Sequence, residues 1–303
     1  MQKTTLGLSD LQVSKYGLGC MSIGTDEKHA FSILEAALEE GINYFDTADL
    51  YDQGQNEKLI GRFFKHNRED VVIATKVGNK WKDGEQGWSW DASKSYIKEQ
   101  VKTSLKRLDT DYIDLYQLHG GTLEDPIDDT IDAFEELKKE GIIRYYGISS
   151  IRPNVIREYV ERSSIVSVMV QYSILDRRPE ELILPLLDDY GISAVTRGPV
   201  AKGLLSPQYA KKLSEKGYLD YSSEELHTVL NNLEEKFKDT RTLTEAAIQY
   251  NLSQLAVTNI IAGASSVEQL RENVKAVNSA PLTTEEIAFI QDVSKVNKYT
   301  NHR

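Results

Sequence analysis

The sequence of 303 residues predicts a (β/α)8 barrel. Eight short apolar runs alternate with helical patterns along the chain, and strict alternation of this kind builds a parallel sheet. Eight such units favour a closed barrel over the open doubly wound sheet. The open sheet is also disfavoured because residues 17–22 read Gly-Leu-Gly-Cys-Met-Ser, which does not match the Gly-x-Gly-x-x-Gly motif. Length alone is compatible with two domains, but barrels of this length occur as one, so we expect residues 1–303 to form a single domain.

The elements follow in order along the chain. The predicted strands lie near residues 15–19, 43–46, 71–76, 113–118, 143–148, 166–171, 192–196 and 257–262. Two helical patterns are especially clear: residues 27–40 end at Gly41, and residues 126–140 begin with Pro126 in the first turn and end at Gly141. Residues 2–14 are expected to form a short β-hairpin, turning near residues 8–10, at the closed bottom of the barrel.

One long insertion interrupts the alternation after strand seven. It covers roughly residues 206–242, is charged, and contains a helical pattern over residues 222–238 before the next helix near 243–250. In a barrel, a segment that follows a strand lies on the catalytic face. The insertion is therefore either a cover for the site or a solvated helix without a role there.

Composition narrows the class of protein. The net charge of −11 argues against binding to nucleic acid or to anionic membranes. No apolar stretch is long enough to span a membrane, and the N-terminus lacks the apolar core of a signal peptide. The single cysteine, Cys20, excludes an internal disulfide. These features predict a cytoplasmic protein.

Four chemically active side chains lie where apolar runs end. Asp46 and Tyr51 follow the second strand, Lys76 ends the third, and His119 follows the fourth. A phenol is a competent proton donor, and a nearby ammonium stabilises the phenolate that remains after donation. The predicted roles are Tyr51 as general acid and His119 as a donor that orients a carbonyl oxygen, with Lys76 and Asp46 tuning the phenol.

The local sequences around these residues resemble the aldo-keto reductase superfamily. The matching blocks are residues 41–51 (Gly-Ile-Asn-Tyr-Phe-Asp-Thr-Ala-Asp-Leu-Tyr), 54–57 (Gly-Gln-Asn-Glu), 74–77 (Ala-Thr-Lys-Val) and 105–119, in the family's order. The resemblance covers nearly the whole chain. It implies a (β/α)8 barrel, a nicotinamide cofactor, usually NADPH, and reduction of a small carbonyl substrate, an aldehyde or ketone. It also assigns Tyr51 as the proton donor, with Asp46, Lys76 and His119 beside it.

The same resemblance implies a set of cofactor contacts. Residues 147–150 (Gly-Ile-Ser-Ser) resemble the family's Gly-Val-Ser-Asn, so Ser149 and Gln171 are expected to hold the nicotinamide carboxamide, with Ser150 in place of the usual Asn. Met21 is expected beside the nicotinamide, and Cys20 at the same mouth. The loop after strand seven resembles the pyrophosphate loop, whose expected contacts are Arg197, Gly198, Pro199, Ala201, Lys202 and Gly203. Arg197 replaces a stacking Tyr, and a guanidinium also stacks on a ring.

The adenosine end follows strand eight. Its expected contacts are Gly263, Ser265, Gln269, Glu272 and Asn273, at a helix N-terminus that offers amide donors to a phosphate. Many NADPH-dependent relatives carry Lys or Arg where this chain has Ser265 and Ser266. Serine hydroxyls still donate to a 2′-phosphate but bring no charge, which weakens the preference for NADPH over NADH.

Several alternatives stay open at this point. Lys76 is also the nucleophile that a Schiff-base aldolase needs, and the same barrel serves some relatives as a nucleotide-sensing regulatory subunit. A metal-dependent hydrolase is disfavoured because the five histidines form no ligand pattern. The three tryptophans, Trp81, Trp88 and Trp90, either wall a substrate pocket or anchor the loop that carries them. The oligomeric state and the identity of the carbonyl substrate are left undetermined.

Overall fold

Parallel strands close into a barrel in the computed structural model, which describes residues 1–81 and 87–303. The strands are β1 (Lys3–Thr5), β2 (Gln12–Ser14), β3 (Tyr16–Gly19), β4 (Tyr44–Asp46), β5 (Val72–Val77), β6 (Asn79–Lys80), β7 (Ser89–Trp90), β8 (Ile113–Leu118), β9 (Ile143–Ser149), β10 (Ser167–Gln171), β11 (Ser193–Arg197) and β12 (Val257–Gly263). The barrel order is β3-β4-β5-β8-β9-β10-β11-β12, and β12 pairs with β3. This confirms the (β/α)8 barrel, and every predicted barrel strand lies within one residue of the observed one at each end.

Helices surround the barrel. They are α1 (Glu27–Glu39), α2 (Gln55–Phe64), α3 (Lys94–Leu108), α4 (Ile127–Lys139), α5 (Pro153–Arg162), α6 (Pro179–Asp189), α7 (Ser223–Phe237), α8 (Leu243–Leu252), α9 (Val267–Val277) and α10 (Thr284–Val293). Both clear helical patterns are confirmed as α1 and α4. Gly41 and Gly141 follow them with φ of +77° and +75°, a left-handed conformation that glycine adopts without strain. No helix in the described ranges is long and apolar enough to cross a membrane.

The N-terminal hairpin closes one end of the barrel. β1 and β2 pair antiparallel, and Leu6, Leu11 and Val13 form one apolar cluster with inward side chains of the barrel strands. The Gly7 amide donates to Ser193 Oγ at 2.7 Å, at the amino end of β11. Since the amino ends of the strands form the bottom of such a barrel, the hairpin covers the side opposite the strands' carboxyl ends.

The insertion after β11 folds onto the C-terminal tail. A short 3₁₀ turn at Tyr209–Lys211 precedes α7, whose first turn is held by a capping box between Ser222 and Glu225. The Tyr221 hydroxyl accepts a hydrogen bond from the Lys295 amide at 2.6 Å. The helix predicted within the insertion is confirmed, and the segment begins at the carboxyl end of β11.

Candidate active site

The barrel brings the four predicted side chains together at the carboxyl ends of three neighbouring strands. Asp46 is the last residue of β4, Lys76 lies in β5, and His119 follows β8. β4, β5 and β8 are adjacent and parallel, so their carboxyl ends meet. Tyr51 begins a short 3₁₀ turn five residues beyond Asp46.

Lys76 is the centre of this group. Its side chain is fully buried, and Nζ donates to Asp46 Oδ1 at 2.5 Å, to the Thr47 carbonyl at 2.7 Å and to Tyr51 Oη at 3.3 Å. Burial alone would lower the pKa of Lys76, but the Asp46 carboxylate and Tyr51 outweigh it and raise that pKa above its ordinary value. The ammonium is therefore a fixed positive charge beside the phenol oxygen.

Gln117 is a buried residue of the site that the sequence analysis missed. It lies in β8, and its Nε2 donates to Asp46 Oδ2 at 3.4 Å. Residues two apart in a strand face the same side, so Gln117 shares a face with His119. A polar side chain within a buried run, two residues before His119, was the signal that would have revealed it.

His119 is neutral at the pH values at which most proteins work. Burial, followed by the nearby charges of Lys76 and Arg197, lowers the pKa of His119 to about 3. Its Nδ1 is buried and has no hydrogen-bond partner among the described residues. The His119 and Tyr51 rings meet edge to face, with centroids 6.0 Å apart. The imidazole thus faces the same space as the phenol, as a neutral hydrogen-bonding group.

The lowered pKa of His119 predicts a specific pH dependence of stability. Between about pH 3 and 6.5 the unfolded chain binds a proton at this residue and the folded chain does not, so the free energy of unfolding falls as the pH drops below 6.5. From pH 7 to pH 5 the wild type should lose about 2 kcal/mol more than His119→Gln, which carries no titrating group there. Urea unfolding of both proteins at the two pH values measures this difference, and equal losses would contradict it.

The turn that carries Tyr51 packs against the side chain of Arg107. Asp52, Gln53 and Gly54 have φ of +48°, +51° and +77°, and a Cβ at Gly54 would lie 2.5 Å from Arg107 Nε. Glu57, in the opening turn of α2, accepts hydrogen bonds from Thr75 Oγ1 at 2.7 Å and from Arg107 Nη1 at 3.1 Å. A left-handed turn in contact with a fixed arginine leaves the Tyr51 backbone little freedom.

A cavity of about 570 Å³ opens beside Tyr51, Lys76 and His119. Its apolar wall consists of Met21, Leu50, Trp88, Trp90, Ile151 and Met169. Trp90 also anchors its loop through Nε1, which donates to Asp125 Oδ1 at 2.8 Å, whereas Trp81 donates to the Asp49 carbonyl at 3.0 Å and does not line the cavity. Trp88 therefore lines the cavity, Trp81 anchors its loop, and Trp90 does both.

The expectation that Cys20 lines this mouth is wrong. β3 ends at Gly19, and the 3₁₀ turn that follows leaves Cys20 fully buried in the apolar core outside the barrel interior. The Cys20 carbonyl accepts a hydrogen bond from Asn56 Nδ2 at 2.8 Å, which ties the turn to α2. Met21, one residue later, is exposed and does line the cavity.

The residues expected at the nicotinamide lie next to this cavity. Ser149, Ser150 and Arg197 line it, and Arg197 Nη1 donates to Gln171 Oε1 at 2.9 Å. Gln171 Nε2 donates to Asp176 Oδ2 at 2.8 Å. The Asp176 carboxylate is itself held by two hydrogen bonds from Arg178, at 2.6 and 2.7 Å.

Asp176 is a second buried residue that the sequence analysis missed. It fixes which end of the Gln171 amide faces Arg197, because the Nε2 end is bound to its carboxylate. Arg197 and Ser149 also line the cavity, and they supply polar groups in addition to its apolar wall. Polar side chains in such a position suit contact with a flat, polar ring.

The loop after β11 contains a run of left-handed residues. Gly198, Ala201, Lys202 and Gly203 have φ of +69°, +47°, +59° and +89°, and residues 201–203 form a 3₁₀ turn. Pro199 and Ala201 are buried, whereas Lys202 is exposed. A tight turn that presents an exposed ammonium suits contact with a diphosphate.

The segment after β12 is arranged around the start of α9. Gly263 ends β12, and the amide and hydroxyl of Ser265 donate to Gln269 Oε1 at 2.8 and 3.1 Å. Glu272 is exposed. Asn273 is buried, and its Nδ2 donates to Tyr16 Oη at 3.2 Å and to the Gly263 carbonyl at 3.3 Å, so its amide nitrogen supports the end of β12.

Comparison with known proteins finds similar sequences and structures among the aldo-keto reductases. The family model described as "Aldo/keto reductase family" matches residues 15–295. The chain is 58% identical to the uncharacterized oxidoreductase YqkF of Bacillus subtilis over the full length of both, and 33% identical to the NADH-specific methylglyoxal reductase of Escherichia coli over 92% of this chain and 94% of that one. The holo form of the aldo-keto reductase AKR11C1 from Bacillus halodurans superposes with a TM-score of 0.95 at 58% identity, over 100% of this chain and 99% of that one.

Proposed function

Because the chain belongs to the aldo-keto reductase family, an oxidoreductase family that uses nicotinamide cofactors, we propose that it reduces an aldehyde or ketone with NADP(H) and with Tyr51 as the proton donor. The observation that carries the proposal is the Lys76 ammonium, 3.3 Å from the phenol oxygen at the wall of a cavity that admits a small molecule. We further propose that residues 1–303 act as one domain in the cytoplasm.

In this mechanism the carbonyl oxygen binds between Tyr51 and His119. The nicotinamide, when bound, supplies a hydride to the carbonyl carbon. Tyr51 donates its proton to the oxygen, and Lys76 stabilises the phenolate that results. Opposite charges about 4 Å apart in an effective dielectric of about 20 attract by about 4 kcal/mol before desolvation is counted. His119, being neutral, donates a hydrogen bond to the same oxygen without competing for the proton.

The residues present fit the cofactor. The fit is supported by polar side chains at one side of the cavity: Ser149 and Arg197 line it, and Gln171 accepts a hydrogen bond from Arg197. We propose that Ser149 and Gln171 hold the carboxamide and that Asp176 positions Gln171. The remaining contacts proposed are Met21, Arg197, Gly198, Pro199, Ala201, Lys202, Gly203, Gly263, Ser265, Gln269, Glu272 and Asn273.

We expect the protein to prefer NADPH over NADH only modestly. The 2′-phosphate would meet the Ser265 and Ser266 hydroxyls and the start of α9, which donate hydrogen bonds but carry no full charge. Ser265→Arg should therefore raise the ratio of kcat/KM for NADPH to that for NADH by about tenfold, since a charged hydrogen bond adds about 1.5 kcal/mol or more. The NADH value of the same variant is the control, and an unchanged ratio would place the 2′-phosphate elsewhere.

The proposed activity is tested with a panel of aldehydes and ketones, each with NADPH and with NADH, by following the absorbance of the reduced nicotinamide. We expect turnover of several small carbonyl compounds. A protein that binds NADPH but reduces no member of the panel would contradict the proposal and favour a nucleotide-sensing role.

A further inference from the structure

The charged groups on the wall of the cavity are all of one sign. Among the described residues that line it, Lys76, Arg152 and Arg197 are basic and none is an aspartate or glutamate. The chain as a whole, by contrast, has a net charge of −11. A cavity lined by one sign of charge attracts ligands of the opposite sign.

Two of these cations, Lys76 and Arg197, already have roles in the proposed reaction or in cofactor binding. Lys76 is paired with Asp46 at 2.5 Å, and Arg197 contacts Gln171 at the place proposed for the nicotinamide. Arg152 lies between β9 and α5, on the same wall as Ile151 and Trp88. It is not part of the proposed catalytic or cofactor-binding machinery.

Arg152 keeps most of its guanidinium available. Nη1 donates to the Gly121 carbonyl at 2.7 Å, and the Arg152 backbone amide donates to Ser150 Oγ at 3.2 Å. Within residues 1–81 and 87–303, no carboxylate forms an ion pair with it. An arginine side chain has five N–H donors in a fork that matches a carboxylate, so one bond to Gly121 orients the fork without saturating it.

We propose that Arg152 binds a carboxylate of the substrate, which makes the preferred substrate an aldehyde or ketone that carries a carboxylate at its far end. The apolar middle of such a molecule lies against Trp88, Trp90 and Ile151, and its carbonyl reaches Tyr51 and His119. This inference rests on the proposed carbonyl reduction and names the substrate class for the same site.

The test compares 4-oxobutanoate and 7-oxoheptanoate with their methyl esters, which keep the aldehyde and the chain but remove the charge. For at least one acid we expect the wild type to have a kcat/KM about tenfold or more above that of its ester. Arg152→Met should lose this advantage, with a 10- to 100-fold fall in kcat/KM for the acid and less than a threefold change for the ester. Arg152→Glu should prefer the ester.

Two further variants separate charge recognition from loop support. Arg152→Gln keeps a donor for the Gly121 carbonyl but removes the charge, and it should behave like Arg152→Met. Arg157→Met alters an exposed arginine on α5, the helix that follows Arg152, and should change nothing. Equal kcat/KM for acid and ester in the wild type, or an equal fall for both in Arg152→Gln, would overturn the assignment. If the wild type reduces neither acids nor esters nor any other carbonyl compound, the proposed function itself fails.

Discussion

Tyr51→Phe is expected to lower kcat by about 10²- to 10⁴-fold, the usual contribution of a positioned general acid, while the affinity for NADPH stays within about twofold. The substitution removes one oxygen, which accepts a hydrogen bond from Lys76 Nζ at 3.3 Å, and leaves the ring in contact with His119. Cofactor affinity should persist because none of the proposed cofactor contacts lies in the turn that carries Tyr51.

The measurement pairs steady-state turnover with a titration of NADPH fluorescence. Tyr190→Phe removes a hydroxyl from an exposed tyrosine and is the matched control, with no expected change in either quantity. Turnover of Tyr51→Phe within threefold of the wild type would reject Tyr51 as the proton donor, whatever the binding data show.

Lys76→Met is expected to affect both stability and turnover. Methionine fills a similar volume, but the Asp46 carboxylate then stays buried without its partner, and the loss of one member of a buried ion pair destabilises a protein by about 3–5 kcal/mol. Turnover should fall by at least about 10²-fold, because the phenolate formed at Tyr51 loses its nearby positive charge. Lys65→Met, which breaks an exposed pair with Asp109, should change stability by less than about 1 kcal/mol.

A double variant separates the two effects of Lys76. Asp46→Asn combined with Lys76→Met removes both charges, so much of the lost stability should return while turnover remains low. Urea unfolding and carbonyl reduction are measured on the same preparations. Recovery of turnover along with stability would mean that Lys76 acts only on the fold, and the proposed role in stabilising the phenolate would be wrong.

The barrel and the four catalytic candidates could be predicted because both depend on local pattern. A strand buried on both faces, such as β5, is a short apolar run, and a polar side chain at its end stands out. Parallel strands then bring such ends to one face, so Asp46, Lys76 and His119 could be grouped without knowledge of any contact.

Other parts of the site depend on the direction that loop side chains take in three dimensions and could not be predicted in this way. Asp176 follows β10 in a loop, and only its hydrogen bonds to Gln171 and Arg178 reveal what it does. Cys20 shows the converse error, because a residue that directly follows a strand can turn its side chain toward the cavity or toward the surrounding helices. In the sequence, Arg152 is a charged residue before a helix, and nothing around it indicates that it lines the cavity.

The residues proposed for the reaction and those proposed to contact the substrate lie on different parts of the barrel, which has an evolutionary consequence. The Lys76–Asp46 pair, which we propose supports the reaction, lies on the buried strands β4 and β5, whereas Trp88, Ile151 and Arg152 lie outside the barrel strands. Loops tolerate exchange far better than strands do. Descendants of this chain can therefore acquire new substrates by replacing a few loop residues, without rebuilding the reaction centre.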